Sequence, residues 1–388
     1  MEFLQTIETI QAEAADVQRL FNAREDGQGV RQAKGRKNPV YKKRLAEAAK
    51  LVADVYNGIR DPYFLREALS TSDFPQLFGD ILDRQVLASY REWPRTYQNY
   101  VKTATVRDFR TVKRFRVDGG EGRLDEVDEQ AAYPGSSLSD DEYGYAVKKH
   151  GRRMPFSWET MINDDLDALK DVPERFGRAA RRTEEYFATT LWIDANGPHA
   201  SLYAAGNNNI VTSNPALSIP ALQTAMTVLA AQVDAEDEPI VVETVELVVA
   251  PALRITARNI LNAIQLELTE SGGSSDQKLI VENWMRNEVR LSVAPYIPTV
   301  ASSANGNSTW GLFANPSDRP ALEMGFLRGH TEPEVFIKAP NAMRAGGGSV
   351  EPMAGDFETD SIEYKVRHVV GGGRMDPKMT VASNGSGS

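Results

Sequence analysis

The side chains that most often carry chemistry are sparse in this chain. It has four histidines, His150, His199, His330 and His368, and no cysteine. No two histidines lie within one helical turn of each other, so no His-Glu-x-x-His metal site can form locally. The lack of cysteine removes thiol catalysis, disulfides, iron–sulfur ligation and cysteine-based zinc sites. No lysine directly follows a glycine, which excludes a phosphate-binding Gly-Lys loop, and no Gly-x-Ser-x-Gly elbow is present. Gly119-Gly120, Gly272-Gly273, Gly346-Gly347-Gly348 and Gly371-Gly372-Gly373 do not fit a dinucleotide fingerprint and read as loops. Ser275-Asp276-Gln277-Lys278 matches Ser-x-x-Lys but lacks its companion motifs. Asp140-Asp141-Glu142 and Asp164-Asp165 lack the alternating ligands and turn glycine of a cation loop. The expectation is no catalytic residue, no cofactor and no metal, hence no enzyme.

What remains is architecture. The 388 residues are 41% hydrophobic and 25% charged, with a formal net charge of −10. That is ordinary globular composition, and an acidic average argues against a general nucleic-acid coat. No apolar run approaches the ~18 residues of a membrane helix. The N-terminus lacks the basic start and cleavage site of a secretion signal, so a soluble, cytosolic chain uncut at its front end is expected.

Two heptad seams open the chain: Phe3, Ile7, Ile10, Ala14, Val17 and Phe21, then Tyr41, Leu45, Ala48, Val52, Val55 and Ile59. Between and into them runs a basic stretch, Arg31, Lys34, Arg36, Lys37, Lys42, Lys43 and Arg44. The simplest shape is an antiparallel helical hairpin. Its basic part is either a solvated loop or the tip of a packing arm that meets phosphate or an acidic partner. Asp73-Phe74-Pro75 caps a further helix to about Tyr90.

From Phe109 to Val117 the pattern alternates, with Phe109, Thr111, Phe115 and Val117 on one face and Arg110, Arg114 and Arg116 on a wet, basic one. A polar stretch from Asp118 to Asp141 follows, then a second alternation through Tyr143, Tyr145, Val147 and His150. The prediction is a projecting hairpin with a long charged connection, which a compact domain would rarely carry without function. A long helix from Pro173, its first turn, to Trp192 carries Val172, Phe176, Ala179, Thr183, Phe187 and Leu191 on one stripe. Arg175, Arg178, Arg181, Arg182, Glu184 and Glu185 lie largely off it. Helices and strands then alternate: helix 221–233, strand 240–249, amphipathic helix 251–266, strands 279–281 and 289–293. Ile362, Tyr364, Val366, His368 and Val370 mark a closing strand, and the tail after Met379 should be loose.

This order resembles the major capsid (major head) proteins of tailed bacteriophages, over roughly residues 73–381. The segments that carry it are Lys149-His150-Gly151-Arg152-Arg153-Met154-Pro155-Phe156-Ser157-Trp158-Glu159 with Ile162-Asn163-Asp164-Asp165-Leu166, then Glu246-Leu247-Val248-Val249-Ala250-Pro251-Ala252-Leu253. Trp310-Gly311-Leu312-Phe313-Ala314-Asn315-Pro316 and Tyr364-Lys365-Val366-Arg367-His368 complete it. The variant most similar is the Mu-type head protein family.

The resemblance implies an α+β, Hong Kong 97-like fold. Its parts would be an N-terminal helical arm (1–72), an N-arm (73–108), an extended hairpin or E-loop (109–157) and a peripheral domain with a long spine helix (158–214). An axial domain (215–345) and a return strand with tail (346–388) would follow. It further implies self-assembly through hexamers and pentamers into an icosahedral shell, in the virion after assembly in the bacterial cytoplasm. Portal, scaffolding or decoration proteins and non-specifically held double-stranded DNA would be the partners, with no membrane. Glu121, Arg123, Asp125, Glu126, Asp128 and Glu129 of the hairpin become candidate inter-subunit contacts, and the basic arm a DNA- or partner-facing one. Some family members cross-link a loop lysine; none lies between Val117 and Val147 here, so that chemistry is not expected. The alternatives are an encapsulin-like compartment shell and, in a different class, a soluble metal-dependent hydrolase.

Overall fold

The computed structural model describes residues 46–51, 54, 59–60, 85–118, 139–157, 166–234, 237–242, 244–263, 265–270, 277–301, 304–317, 319–338 and 356–387. Helices and strands are mixed, the α+β architecture expected. The strands are β1 (Lys102–Val106), β2 (Val112–Asp118), β3 (Ser139–Tyr145), β4 (Val147–Ser157), β5 (Ile193–Asp194), β6 (Gly197–Pro198), β7 (Val245–Val249) and β8 (Gln265–Glu270). They continue as β9 (Gln277–Glu282), β10 (Val289–Val293), β11 (Trp310–Ala314), β12 (Leu322–Leu327), β13 (Glu334–Ile337), β14 (Ser361–Arg374) and β15 (Thr380–Ser383). The helices are α1 (Leu166–Trp192), α2 (Ile219–Ala230), α3 (Arg254–Asn262), α4 (Met285–Glu288) and α5 (Ile297–Val300). Residues 46–51 and 85–92 are also helical.

The chain divides into two compact units. The first gathers Met1–Pro94, Lys149–Arg181 and His330–Val369. Here β13 pairs antiparallel with the first part of β14, Glu334 opposite Arg367 and Ile337 opposite Tyr364. The helical run 85–92 lies close against α1 at Gly177, where an added Cβ would sit 2.7 Å from the Val86 carbonyl. Arg181 is buried there. Its Nε and Nη2 donate to the Tyr90 carbonyl at 3.2 and 2.7 Å, and its guanidinium lies 3.8 Å over the Tyr90 ring.

The second unit gathers Arg95–Lys148, Arg182–Gly329 and Val370–Ser388. Its four-stranded sheet has the order β10-β7-β11-β15. Apolar cores cover both faces: Val245, Leu247, Val249, Trp310 and Leu312 face one, Val248, Ala250 and Phe313 the other. That is why β11, and β7 apart from Glu246, read as apolar runs and not as alternations. On one side Trp192 meets Tyr100 and Phe313 edge to face, Trp192 and Phe313 with ring centroids 5.2 Å apart, and Tyr100 lies tilted against Phe313. On the other, α2 starts with a Ser218 side-chain cap on the Ala221 N–H and packs Leu222, Ala225 and Leu229 inward. In the same unit β12 pairs parallel with β1 and antiparallel with the second part of β14.

Several expectations need correction. The tail is not loose through residue 383: β15 pairs with β11 because Val381 and Ala382 bury on opposite faces of the sheet. Gly371-Gly372-Gly373 lie inside β14 and not in a loop. The strand expected over 240–249 is shortened to β7, and the helix over 251–266 gives way to a short 3-10 turn, α3, and then β8.

α1 begins before Pro173, so that proline falls inside the helix, at the loss of one ladder hydrogen bond. Its buried stripe is also rotated by about one residue. Arg181, Glu184 and Glu185 are buried, because each meets a hydrogen-bonding partner that a hydrophobicity pattern cannot register. Tyr97 Oη donates to Glu184 at 2.7 Å, and the Thr96 N–H and hydroxyl donate to Glu185 at 2.7 and 2.6 Å. Burial raises the Glu185 pKa despite those donors.

Candidate functional site

β2 and β3 form a seven-pair antiparallel ladder, from Val112 opposite Tyr145 to Asp118 opposite Ser139. Among the described residues this ladder joins no other sheet. The hairpin strands are therefore present on either side of the charged connection. Their faces are not as predicted. The strand starts at Val112, so Phe109 and Thr111 precede it. Within it Arg114 turns inward and Phe115 stands 60% exposed.

The inward turn follows from a single buried carboxylate. Arg114 Nε donates to Glu323 Oε1 at 2.8 Å, and the Tyr145 hydroxyl donates to the same oxygen. Glu323 and Tyr145 are both buried. Burial weakens the charge on Arg114, but the hydrogen bond and charge of Glu323 outweigh it, and its pKa is raised. Burial, and then the adjacent Glu323, push the Tyr145 hydroxyl far above its ordinary range, so it remains a donor.

Glycines shape the seat for Tyr145. A Cβ on Gly325 would fall 2.6 Å from the Tyr145 ring, and one on Gly371 would fall 2.4 Å from the Ala146 carbonyl. Gly371 lies opposite Gly325, and Gly373 opposite Glu323, across the β12–β14 ladder. The strip lets the backbone at Tyr145–Val147 lie directly on the sheet.

Beside this root is a cleft of about 220 Å³ lined by Lys102, Arg114, Phe115, Arg319 and Asp376, among others. Arg319 Nε meets Asp376 Oδ2 at 3.0 Å, and Asp376 also accepts from the Lys378 N–H, capping the 3-10 turn Pro377–Met379. At the outer edge Lys113 pairs with Glu142 across the ladder at 2.8 Å; both are exposed, so the pair contributes about 0–1 kcal/mol.

The hairpin residues predicted to act, Glu121, Arg123, Asp125, Glu126, Asp128 and Glu129, lie outside the described residues. So do Arg31, Lys34, Arg36, Lys37, Lys42, Lys43 and Arg44 of the basic arm. Sequence reasoning missed the anchor itself. A signal existed: Glu323 is the lone acid in Ala321-Leu322-Glu323-Met324-Gly325-Phe326-Leu327, and an isolated charge in an apolar strand needs a partner. Glu246 in β7 repeats the signal. Buried, it accepts from the Ser292 hydroxyl, which Asn99 Nδ2 reaches at 2.8 Å.

Among the described residues, no group of three or more His, Asp or Glu side chains could hold a metal ion, and no helix is long and apolar enough to cross a membrane.

No curated protein matches the chain. A solved structure of Mycobacterium phage Bobi is similar at a TM-score of 0.43 and 13% identity, covering 75% of this chain and 90% of that one. The capsid of an empty GTA particle is similar at 0.45 and 11%, covering 75% and 90%. A solved structure of Gordonia phage Cozz is similar at 0.43 and 13%, covering 75% and 88%. The family model described as phage capsid protein matches residues 141–383, more than half of the sequence, from within β3 to the end of β15. On that match, the chain belongs to the phage capsid protein family.

Proposed function

We propose that this subunit builds the head shell of a tailed bacteriophage and encloses packaged double-stranded DNA. Self-assembly into a shell and residence in the virion follow from the family. The finer reading is a shell of hexamers and pentamers, put together in the host cytoplasm, with portal, scaffolding or decoration proteins as further partners. The Mu-type kinship rests on the sequence segments alone, and the subunit's work in this reading is packing and not catalysis.

The observation that carries the reading is the β2–β3 ladder. It is fixed at its base by Glu323 yet joins no other sheet among the described residues, and it shows a phenylalanine to solvent. A segment of that kind suits contact with a neighbouring copy, with Glu121, Arg123, Asp125, Glu126, Asp128 and Glu129 as its polar end. Individual exposed ion pairs are weak, but symmetry repeats each contact many times. The basic arm, Arg31 to Arg44, supplies a cationic surface for DNA or an acidic partner in a subunit of net charge −10.

The test is to express the full chain alone and size it. Closed particles or capsomer rings are expected, and a persistent monomer would overturn the reading. Deleting Glu121 to Glu129 should leave the subunit folded and impair assembly; normal shells from that deletion would remove the hairpin from the contact.

A further inference from the structure

The second unit carries two unlike surfaces at the two ends of β7. At its N-terminal end a groove of about 420 Å³ opens between α2 and the start of α4. Gln223, Met226, Thr227 and Ala230 of α2 form one wall, at the i, i+3, i+4, i+7 spacing of a single helix face. Val242, Trp284 and Glu288 form much of the other. Trp284 is 41% exposed, and Val241, next to the groove, is more exposed still.

At the C-terminal end of β7 the chain passes through Pro251–Leu253 into α3. Ile255, in the first turn of α3, is 73% exposed, with Arg254 and Arg258 exposed beside it. No acid occurs between Ala250 and Ala263. Asn283 fixes the separation of the two surfaces. It is buried and its Nδ2 donates to the Ile260 carbonyl at 2.7 Å, so the residue next to Trp284 holds the C-terminal end of α3. Ile255 lies six residues back from Leu261, about 9 Å away along the helix at ~1.5 Å per residue.

An exposed aliphatic residue flanked by two arginines at one end thus matches an apolar groove with an acidic residue at the other. Because the surfaces differ, copies meeting through them join head to tail, and such contacts close into rings when the rotation permits. We propose that Ile255, with Arg254 and Arg258, seats in the Met226–Val242–Trp284 groove of a second copy of this chain, Arg258 facing Glu288. This rests on the shell reading and names a contact within its capsomers, separate from the hairpin.

The absence of cysteine makes the test clean. Full-length Ile255→Cys/Met226→Cys carries only the two introduced thiols, which bridge only with Cα atoms about 4.4–6.8 Å apart. After assembly and mild oxidation, a ladder of disulfide-linked chains is expected, lost on reduction and missing from either single variant. Assembled particles without a ladder overturn the contact and leave the shell reading intact. Full dimerisation of Ile255→Cys alone also overturns it, since that surface would then pair with itself. A wild-type chain that never assembles overturns both. As a second readout, Arg258→Glu should lower particle yield at least tenfold and Glu288→Arg in the same chain should restore it; unchanged yield in the single variant, or no rescue in the pair, overturns the proposal.

Discussion

Arg114 and Phe115 are neighbours on β2 and turn opposite ways: Arg114 reaches the buried Glu323 carboxylate at 2.8 Å, while Phe115 faces solvent. A charged side chain is thereby spent on holding the hairpin root, and an aromatic one is left for whatever meets the hairpin. The two residues should consequently fail in different ways when truncated.

Arg114→Ala leaves Glu323 buried with Tyr145 as its remaining donor on this side. A lost hydrogen bond to a charged group costs about 1.5–3 kcal/mol, and urea unfolding of the unassembled subunit should show a loss of that size. Phe115→Ala truncates a side chain that is mostly exposed and should stay within about 0.5 kcal/mol of wild type, while reducing the yield of assembled particles. Equal subunit stability for the two variants would contradict the inward placement of Arg114.

The inversion of that strand also marks how far the sequence could be read. The alternation of Phe109, Thr111, Phe115 and Val117 located a strand correctly, because period 2 is a property of the backbone. It chose the wrong face, because the partner that draws Arg114 inward lies 209 positions away. The stripe of α1 failed for the same reason at Arg181, Glu184 and Glu185. The closing strand was legible, since Ile362, Tyr364, Val366 and His368 are buried while Glu363, Lys365 and Arg367 between them are not, the alternation a strand imposes. The glycine triplet was not: glycine punctuates loops and also marks sites where another backbone approaches closely, and only the second applies at Gly371.

Gly371→Ala tests that close approach. The new Cβ would lie 2.4 Å from the Ala146 carbonyl oxygen and 2.6 Å from the Val147 Cα, both backbone atoms that cannot rotate away. Overpacking of this kind costs about 1–3 kcal/mol. A drop in the thermal midpoint of the subunit is expected, whereas Gly206→Ala, where an added Cβ meets nothing within 4 Å, should show no packing clash.

Neutralising the basic arm separates its two readings. Replacing Arg31, Lys34, Arg36 and Lys37 by glutamine should leave the subunit's unfolding transition unchanged if those residues contact DNA or an acidic partner. Heads carrying the change should then hold DNA more weakly at low salt, with a shallower salt dependence, since fewer counterions are released on binding. Loss of the folded subunit would instead assign the residues to the arm's own structure.

Glu246 gives a prediction with a definite sign. Burial is the largest influence on it and raises its pKa, and the hydrogen bond from Ser292 and the charge of Arg290 only partly oppose that. A carboxyl with a raised folded pKa binds protons more tightly in the native state than in the unfolded chain. Its contribution is therefore most favourable below the unfolded value near 4.5 and is lost as pH rises through the folded value. Glu246→Gln keeps an oxygen to accept from Ser292 and has no charge to bury. The variant should be close to wild type at pH 4 and more stable at pH 7, with the gap opening between. Urea unfolding across that range measures it. A gap that instead narrows with rising pH would show that the charged form of Glu246 is the one the fold favours, and that Ser292 and Asn99 compensate its burial in full.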